Sequence, residues 1–257
     1  MIYILGRTGM LGSMVADTWE GDFFSTDRYQ IDARLPFNDQ LFPLPDAEWI
    51  INCVGIIKPY CVNVENAIKV NALFPHTLPP NTIQIATDCV YSGSKGDYVE
   101  TDPHDALDVY GKTKSLGEAP HIKNLRCSII GPEIKNHISL LDWLLAQSEA
   151  NGFTNHLWNG ITTYHFSKIV QGIIKEGIEL PNIQHIIPAD VVTKAELLKL
   201  IAEAYKKDIV IRDVEAPEVV DRTLSTNNPE LNKRIWKSAG YDEPPTIKQM
   251  IQELANL

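Results

Sequence analysis

The sequence predicts an α/β fold in which a doubly wound parallel sheet precedes a smaller C-terminal lobe. The first observation is that four short apolar runs alternate with stretches of helical periodicity, a pattern typical of parallel βαβ units. These runs are residues 1–5, 23–26, 49–54 and 82–87. The second is a glycine-rich turn directly after the first run. The third is one further apolar run at 124–132, after which the pattern becomes irregular.

Length and composition fit this organisation. The chain of 257 residues suits a main domain with a smaller second lobe. We expect the sheet domain over 1–132, open to added strands from later residues, and the second lobe over 133–257. An apolar content of 44% and a charged content of 22% are ordinary for a globular protein.

Charge and hydrophobic patterning disfavour two classes of partner. The formal net charge of −10 argues against a nucleic-acid-binding protein, which needs a basic surface. No uninterrupted run of about 18 apolar residues occurs, and no basic segment with a long apolar one precedes the first strand. We therefore expect a soluble, cytoplasmic protein without a nucleic-acid or membrane partner.

The four cysteines lack C-x-x-C spacing and mostly lie in apolar runs; they are Cys53, Cys61, Cys89 and Cys127. We expect free, buried thiols, with neither a disulfide nor a metal site.

The turn after the first strand, GRTGMLG, predicts a Rossmann-type dinucleotide site because it also opens a helix. Gly6 permits the tight turn, Gly9 lets the backbone approach the pyrophosphate, and Gly12 lets the helix pack closely on the strand. The helix N-terminus would then face the phosphates. The predicted contacts are Gly6, Arg7, Thr8, Gly9, Met10, Leu11 and Gly12.

The ends of the second and third strands supply the other predicted cofactor contacts. Asp27 suits the ribose 2′-hydroxyl of NADH, whereas Arg28 suits the 2′-phosphate of NADPH, so both cofactors stay open. The end of the third strand, at the carboxyl edge of the sheet, would line the ribose and nicotinamide; its residues are Asn52, Cys53, Val54 and Gly55. We expect Asn71, on the following helix, to be a buried polar group that stabilises the active-site backbone; an exposed side chain is the alternative.

The fourth strand and the helix after it carry the predicted chemistry. Thr87 ends the strand, and Tyr110 and Lys114, four residues apart, share one face of a helix. An ammonium near a phenol stabilises the phenolate and lowers its pKa from about 10. The Thr87 hydroxyl would bond the substrate oxygen at which the proton is exchanged. These groups suit hydride transfer between a nicotinamide and a carbonyl or alcohol carbon.

The second half offers a candidate substrate wall. A polar and aromatic loop contains groups that suit sugar hydroxyls and a nucleotide base, namely Asn155, His156, Trp158 and Asn159. Core packing is the alternative for Trp158. The helix that begins after Thr193 is amphipathic, and we expect Lys194 and Lys199 on it to be solvated.

With these motifs in this order, the chain resembles the extended short-chain dehydrogenase/reductase superfamily over residues 1–132. The block TDCVYSGSKGDYVETDPHDALDVYGKTKSLGE is similar to that of dTDP-4-dehydrorhamnose reductases. The resemblance implies that Thr87 orients the sugar keto oxygen and that Tyr110 donates the proton. It implies that Lys114 bonds the nicotinamide ribose and lowers the Tyr110 pKa. It also implies NADPH or NADH as cofactor, a nucleotide-linked keto-deoxysugar as substrate, and a possible homodimer.

The same resemblance extends the substrate contacts. Asp88 and Cys89 follow Thr87 directly, and DRTLST is similar to an Arg-Ser/Thr-Leu segment that holds substrate phosphates in related reductases. Arg222 is therefore the candidate for the diphosphate, and a surface salt bridge is its alternative.

One departure from the reductase pattern opens a second interpretation. The rhamnose enzymes carry an aromatic residue after T-D, whereas this chain has Cys89. GDP-fucose synthase, a sister family, has a cysteine there and pairs it with a histidine to epimerise C3 and C5; His137 would be that histidine. The alternative roles are packing for Cys89 and a helix start for His137.

The sequence thus predicts an NAD(P)H-dependent 4-reductase of a nucleotide-linked 4-keto-6-deoxy sugar, acting in deoxysugar and surface polysaccharide biosynthesis. One alternative is a bifunctional 3,5-epimerase/4-reductase that uses Cys89 and His137. An alternative of another class is a non-catalytic, NAD(P)-binding regulatory subunit, although a regulator has no need of Thr87, Tyr110 and Lys114 together.

Overall fold

The computed structural model describes residues 1–40 and 47–257, in which strands and helices alternate through the first half. The strands are β1 (Ile2–Leu5), β2 (Phe23–Thr26), β3 (Trp49–Asn52), β4 (Thr82–Thr87), β5 (Lys123–Cys127), β6 (Ile129–Ile130), β7 (Glu149–Phe153), β8 (His156–Trp158), β9 (Ile161–Thr162), β10 (Ile183–His185), β11 (Val192–Thr193), β12 (Val210–Val214) and β13 (Val220–Asp221). The α-helices are α1 (Met10–Thr18), α2 (Val64–Ala67), α3 (Val109–Leu116), α4 (Leu140–Leu145), α5 (Thr163–Glu176), α6 (Lys194–Ala204), α7 (Pro229–Ser238) and α8 (Ile247–Ala255). The four predicted strands are confirmed, and the fifth apolar run divides into β5 and β6.

The main sheet has six strands in the order β10-β5-β4-β3-β1-β2, and every neighbouring pair is parallel. The strand order reverses between β1 and β3, because the chain moves to one side for β2 and to the other for β3. In such sheets ligands bind outside the carboxyl ends of the strands at this reversal. The predicted doubly wound, Rossmann-type fold is confirmed.

Burial along β1 shows why this strand is central. All four residues are buried, and their side chains alternate between the two faces of the sheet. Ile2 and Ile4 belong to a core cluster that includes residues of α1 and α5. Tyr3 and Leu5 belong to a second cluster on the opposite face, beneath Phe74. Apolar side chains on both faces require cover on both, which is the layered arrangement of a doubly wound domain.

The helical crossover between β3 and β4 is irregular. After α2, the backbone continues as a π-helix over Ile68–Leu73 and a 3₁₀-helix over Phe74–Thr77. A wide π turn shifts the side chains that follow it relative to a regular helix, and such turns are common at functional sites. Asn71 lies within this turn and is buried.

The second half of the chain contributes to the main sheet and adds small sheets beside it. Strand β10 pairs with β5 at the sheet edge, an added strand of the kind that the sequence left open. Three small sheets have the orders β11-β8-β13, β12-β7 and β6-β9. Apolar residues of α5, α6, α7 and α8 join the core cluster on the α1 face, so this core continues from the first half into the second. The division into lobes at residue 132 stays a prediction.

Two expectations about composition can be compared with the described residues. Within residues 1–40 and 47–257, no helix has the length and apolar character needed to cross a bilayer. All four cysteines are free, as predicted. Cys61 and Cys127 are buried, whereas Cys53 and Cys89 are partly exposed at the carboxyl edge of the sheet.

Candidate active site

The glycine-rich turn joins β1 to α1 through backbone hydrogen bonds. The amides of Gly6 and Arg7 donate to the Thr26 carbonyl at 3.1 and 3.0 Å, which ties the turn to the end of β2. Gly6 has φ +87°, a conformation that favours glycine. A Cβ on Gly12 would lie 2.2 Å from the Gly6 carbonyl oxygen, so α1 approaches the turn as closely as predicted.

The rest of the turn faces outward. Arg7, Thr8 and Gly9 are exposed, and a Cβ on Gly9 would stay 3.4 Å from its nearest protein neighbour. The protein itself therefore leaves space above Gly9 for an approaching ligand. Leu11, by contrast, packs its side chain in the core, so only its backbone is near the turn surface.

Three charged side chains follow the ends of β1 and β2 at one edge of the sheet: Arg7 after β1, and Asp27 and Arg28 after β2. Asp27 Oδ1 accepts the Tyr29 amide at 2.8 Å, and the Arg28 guanidinium lies 5.3 Å from the Tyr29 ring centroid. Arg7 Nη1 donates to Ser25 Oγ at 3.4 Å. The structure therefore keeps a candidate residue for each cofactor, Asp27 for NADH and Arg28 for NADPH.

The end of β3 shows which of the predicted contacts have exposed side chains. Asn52 is buried, its Nδ2 donates to Gln84 Oε1 at 2.7 Å, and its Oδ1 accepts the Val54 amide at 3.1 Å. Its side chain therefore stabilises the strand end, whereas Cys53 and Val54 are partly exposed and Gly55 is exposed. The contacts of all four residues with a cofactor stay predictions.

Asn71 holds the backbone that follows β3. Its Oδ1 accepts the Ile56 amide at 2.8 Å, and its Nδ2 donates to the Ile56 carbonyl at 2.9 Å. A weaker contact of 3.3 Å reaches Thr113 Oγ1 on α3. The predicted burial of Asn71 is confirmed, and its side chain stabilises the backbone at Ile56. That this backbone lines the active site stays a prediction.

Thr87 lies where β4 passes into a 3₁₀ turn over Asp88–Val90. Its hydroxyl donates to Asp88 Oδ1 at 3.2 Å and accepts the Cys89 amide at 3.2 Å. Thr87 and Asp88 are both buried. Burial raises the pKa of Asp88, and the positive charges of Lys194 and Arg222 oppose that rise. We call residues 87–90 the catalytic turn below.

Helix α3 is held against the catalytic turn by a glycine. Asp108 caps the helix by accepting the Gly111 amide at 2.9 Å. A Cβ on Gly111 would lie 2.3 Å from the Cys89 carbonyl oxygen. At the other end of α3, a Cβ on Gly117 would lie 1.8 Å from the Asn71 carbonyl oxygen. The helix that carries Tyr110 thus touches both segments of the site at backbone distance.

Tyr110 and Lys114 have pKa values shifted by burial. Lys114 Nζ donates to the Ile85 carbonyl at 3.1 Å, and burial lowers its pKa to about 8 while the charge of Glu118 opposes this. Burial raises the pKa of Tyr110, the nearby Cys89 adds to the rise, and a hydrogen bond with the Thr87 side chain opposes it. The expected lowering of the Tyr110 pKa is thus not found in this geometry, because Lys114 is directed to a backbone carbonyl.

The proposed epimerase pair is not supported by the geometry. Burial raises the pKa of Cys89 to about 12, and the Asp88 charge adds to this rise, so the thiol stays protonated at neutral pH. The His137 side chain is 67% exposed, and its Nδ1 lies 3.4 Å from Asp142 Oδ2. His137 therefore belongs to the exposed loop before α4, with φ +51°, where its hydrogen-bond partner is Asp142.

The predicted substrate wall serves mainly to brace the C-terminal segments. Asn155 bonds the Ala216 backbone twice, at 2.8 and 3.0 Å, and Asn159 bonds the Leu224 backbone twice, at 2.7 and 2.9 Å. Because its polar groups are occupied within the protein, we do not include Asn155 among the proposed substrate contacts. Trp158 is buried, and its Nε1 donates to Ser128 Oγ at 2.8 Å.

Two cations lie beside the catalytic turn, of which the sequence indicated only one. Arg222 Nε donates to the Tyr91 carbonyl at 2.8 Å. The expectation that Lys194 is solvated holds only in part: the residue is partly exposed, but its Nζ lies 5.4 Å from the Trp158 ring centroid, and burial lowers its pKa while the charges of Asp88 and Cys89 oppose that fall. Lys199 is exposed, as expected, and it pairs with Asp213. The capping box at Thr193 marks a helix start but gives no signal that the side chain of the next residue lies against Trp158.

Comparisons with known proteins agree with this geometry. The family model for the RmlD substrate binding domain matches residues 1–151. A dTDP-4-dehydrorhamnose reductase from Bacillus anthracis, solved in complex with NADP, superposes with a TM-score of 0.80 at 15% identity, covering 98% of this chain and 97% of that one. The homologous reductase from Clostridium acetobutylicum gives 0.77 at 19% identity, with 99% and 98% covered.

A third solved structure shows that the same fold supports a different reaction. A UDP-glucuronic acid 4-epimerase from Bacillus cereus, in complex with NAD, gives a TM-score of 0.71 at 12% identity, covering 99% of this chain and 95% of that one. At such identities these likenesses show the fold. No curated protein sequence matches the chain.

Proposed function

Because the chain belongs to the RmlD substrate binding domain family, we propose that it is an NAD(P)H-dependent 4-reductase of a nucleotide-linked 4-keto-6-deoxy sugar. The observation that carries the proposal is the convergence of Thr87, Tyr110 and Lys114 at the carboxyl edge of β4, beside a glycine-rich turn that leaves space for a ligand. The resemblance and the solved reductases support the substrate class.

The glycine-rich turn fits a dinucleotide. Gly6 and Gly12 are required by the backbone, whereas the space above Gly9 is left open toward solvent. The turn and the N-terminus of α1 would hold the pyrophosphate, with Arg7, Asp27 or Arg28 beside the adenosine ribose. A bound reduced nicotinamide supplies the hydride for C4 of the sugar.

The chain's own residues handle the proton and the oxygen. Tyr110 would protonate the sugar O4, and because burial raises its pKa the phenol carries its proton at neutral pH. When substrate binds, the Thr87 hydroxyl would turn its single proton from Asp88 Oδ1 to the same sugar oxygen and donate a second hydrogen bond there. One such donor, held in place before the reaction, is typically worth about 3 kcal/mol of transition-state stabilisation.

Lys114 is positioned to act both on the cofactor and on Tyr110. With a pKa of about 8 it is mostly protonated at neutral pH, and it lies one helical turn after Tyr110. We propose that its ammonium bonds the nicotinamide ribose and stabilises the Tyr110 phenolate that forms after proton transfer.

The alternatives receive less support. A bifunctional epimerase needs a basic thiol or imidazole at the sugar, but Cys89 is held protonated and His137 is exposed. A regulatory subunit has no need of the assembled Thr87, Tyr110 and Lys114. A cytoplasmic location and a homodimer stay predictions.

The test is reduction of dTDP-, UDP- and GDP-linked 4-keto-6-deoxy sugars, each before and after 3,5-epimerisation, followed by NAD(P)H absorbance. We expect turnover of an epimerised sugar and a loss of about 10²- to 10⁴-fold in kcat for Tyr110→Phe. Cofactor binding without turnover across the panel would contradict the proposal and favour the regulatory alternative. Turnover of an unepimerised sugar with an inverted product would favour the epimerase.

A further inference from the structure

We propose that Glu118 and Arg126, which we call the buried ion pair, position the catalytic groups. The pair fixes α3 to the segment that follows the catalytic turn, and it places a carboxylate one helical turn beyond Lys114. The inference rests on the proposed function, which it deepens by assigning positioning residues to the reaction.

The buried ion pair is almost completely removed from solvent. Arg126, on β5, is fully buried, and the Glu118 side chain is 3% exposed. The guanidinium contacts both carboxylate oxygens: Nε donates to Oε1 at 3.0 Å, and Nη2 donates to Oε2 at 2.6 Å. A buried ion pair often contributes no more stability than an apolar pair of similar volume. These charges therefore point to a role beyond stability.

Every N–H group of the Arg126 guanidinium has an acceptor. Besides the two bonds to Glu118, Nη1 donates to Tyr91 Oη and to His185 Nε2, both at 2.6 Å. Nη2 also donates to His104 Nε2 at 2.8 Å. Five acceptors for five donors fix the orientation of the guanidinium and leave it no donor for a ligand. Its role is therefore to hold protein groups in place.

The two histidines must be neutral in this arrangement. Each accepts a guanidinium N–H through Nε2, so each carries its proton on Nδ1. From there His104 donates to Ser115 Oγ at 2.7 Å, and His185 donates to the Ser225 carbonyl at 2.6 Å. Burial lowers the pKa of both imidazoles, and the charge of Arg126 acts in the same direction. The hydrogen-bond network is therefore complete at neutral pH.

The buried ion pair connects the two elements that carry catalytic groups. Tyr91 directly follows the catalytic turn, and Glu118 lies two residues after the end of α3. Arg126 contacts both, so it joins the turn that carries Thr87 to the helix that carries Tyr110. The close backbone contact at the first turn of α3 fixes one end of this helix, and the buried ion pair fixes the other.

The carboxylate of the buried ion pair also acts on Lys114, four residues before Glu118. The Lys114 ammonium is directed to the Ile85 carbonyl, and over residues 1–40 and 47–257 it has no hydrogen bond to a carboxylate. The charge of Glu118 opposes the fall in the Lys114 pKa that burial causes. Loss of that charge should favour the neutral amine, which cannot stabilise the Tyr110 phenolate.

The first test measures Lys114 directly, without any substrate. An NMR titration of protein labelled with ¹³C-lysine follows its side chain, and the signal is assigned with Lys114→Met. We expect a midpoint near pH 8 in the parent protein and a lower midpoint in Glu118→Gln. The double variant Glu118→Leu with Arg126→Met should give the same result, and it leaves no unpaired buried charge that could prevent folding.

The second test measures kinetics with the sugar that the parent protein reduces. In the double variant, kcat should fall by about ten- to a hundredfold, because the catalytic groups are displaced. The alkaline limb of its kcat/KM profile should move to lower pH, which a purely structural role would not cause. Glu149→Leu with Arg212→Met is the matched control, since it removes the same residue types from an exposed pair. Its kinetics and pH profile should equal those of the parent protein.

The outcomes separate this inference from the proposed function. A lower Lys114 midpoint in variants of a protein that reduces no sugar would support the buried ion pair and reject the reductase. Sugar reduction with an unchanged kcat and an unchanged Lys114 midpoint in the variants would overturn the buried ion pair. A fall in kcat with an unchanged midpoint and alkaline limb would also overturn it, since a general loss of packing would then explain the effect.

Discussion

At the scale of single residues, the glycines of the glycine-rich turn have different roles. Gly12 is required by the protein itself, because a Cβ there would lie 2.2 Å from a backbone oxygen. Gly9 has space around it within the protein. The spacing of the glycines in the sequence does not show which of them has which role. The structure shows that Gly12 is needed for helix packing and that Gly9 leaves space for a ligand.

We therefore expect opposite outcomes for two alanine variants. Gly9→Ala should fold with the melting temperature of the parent protein but bind NADPH more weakly, because its methyl group occupies the ligand side of the turn. Gly12→Ala should lower the melting temperature, because α1 must move away from β1. Fluorescence titration with NADPH and thermal unfolding check the two effects. A Gly9→Ala protein with unchanged cofactor affinity would argue against the assigned binding turn.

Lys114 is the residue at which stability and activity should conflict. Its pKa is lowered from 10.5 to about 8 by burial, so the folded state binds fewer protons than the unfolded state between these two values. Stability therefore rises with pH across this window, and the full penalty applies below it. From the size of the shift, that penalty is on the order of 3 kcal/mol.

Lys114→Met should accordingly be more stable than the parent protein at pH 7 and have little activity. Its advantage should shrink as the pH rises from about 8 toward 10.5, because the parent lysine loses its proton. Urea unfolding at a series of pH values measures this difference. An advantage that does not change with pH would show that Lys114 is not buried as a charge.

At the scale of elements, α3 depends on a close approach to the catalytic turn. Gly111, directly after Tyr110 in the first turn of α3, lies against the Cys89 carbonyl. This contact sets the position of Tyr110 relative to Thr87. The sequence predicted Tyr110 and Lys114 on one helical face, but it gave no reason for the glycine between them.

Gly111→Ala should therefore lower kcat by displacing α3, since a Cβ would lie 2.3 Å from a carbonyl oxygen. A shift of about 1 Å in a catalytic group can cost about a hundredfold in rate. Cofactor affinity should change less than kcat, because the glycine-rich turn is on another element. Lys112→Ala, an exposed substitution on the same helix, is the control. Equal kcat values for the two variants would contradict this positioning role.

Elements also show where sequence reasoning succeeds and where it fails. Strands β1 to β4 were predictable because each is a short apolar run bounded by turn residues. The π-helix over Ile68–Leu73 was not, because its extra residue per turn leaves no compositional signal. The contact of Lys194 with Trp158 could not be predicted either, because the cap and the helix pattern after Thr193 are the same for a fully solvated lysine. The positions of Lys194 and Arg222 depend on the pairing of β11 and β13 with β8, and local sequence does not specify pairing between such distant segments.

At the scale of the whole molecule, Asn155 and Asn159 attach the C-terminal segments to β8 and its flanks. The amide of Asn159 satisfies both the Leu224 amide and its carbonyl within a buried region. Its backbone partner lies two residues after Arg222. The brace therefore links the stability of the fold to the position of a proposed substrate contact.

Asn159→Ala should lower the free energy of unfolding by about 2 kcal/mol or more, since two buried backbone groups lose their partner. In the surviving folded protein, KM for the nucleotide sugar should rise while cofactor affinity stays unchanged. Asn227→Ala, in an exposed part of the same segment, is the comparison. Chemical denaturation and steady-state kinetics check both effects, and a selective rise in cofactor Kd would oppose this interpretation.

The strand order has a consequence for how the protein is made. Strand β10, at residues 183–185, completes the sheet beside β5, and α5 covers the face that α1 shares. A nascent chain that has reached residue 151 would thus expose one side of β5 and an uncovered apolar face. We expect a fragment of residues 1–151 to aggregate when it is released from the ribosome, and to fold only once the remaining chain has emerged. Ribosome-bound nascent chains of increasing length, probed by limited proteolysis, should become resistant only after β10 and the helices that follow it have left the exit tunnel.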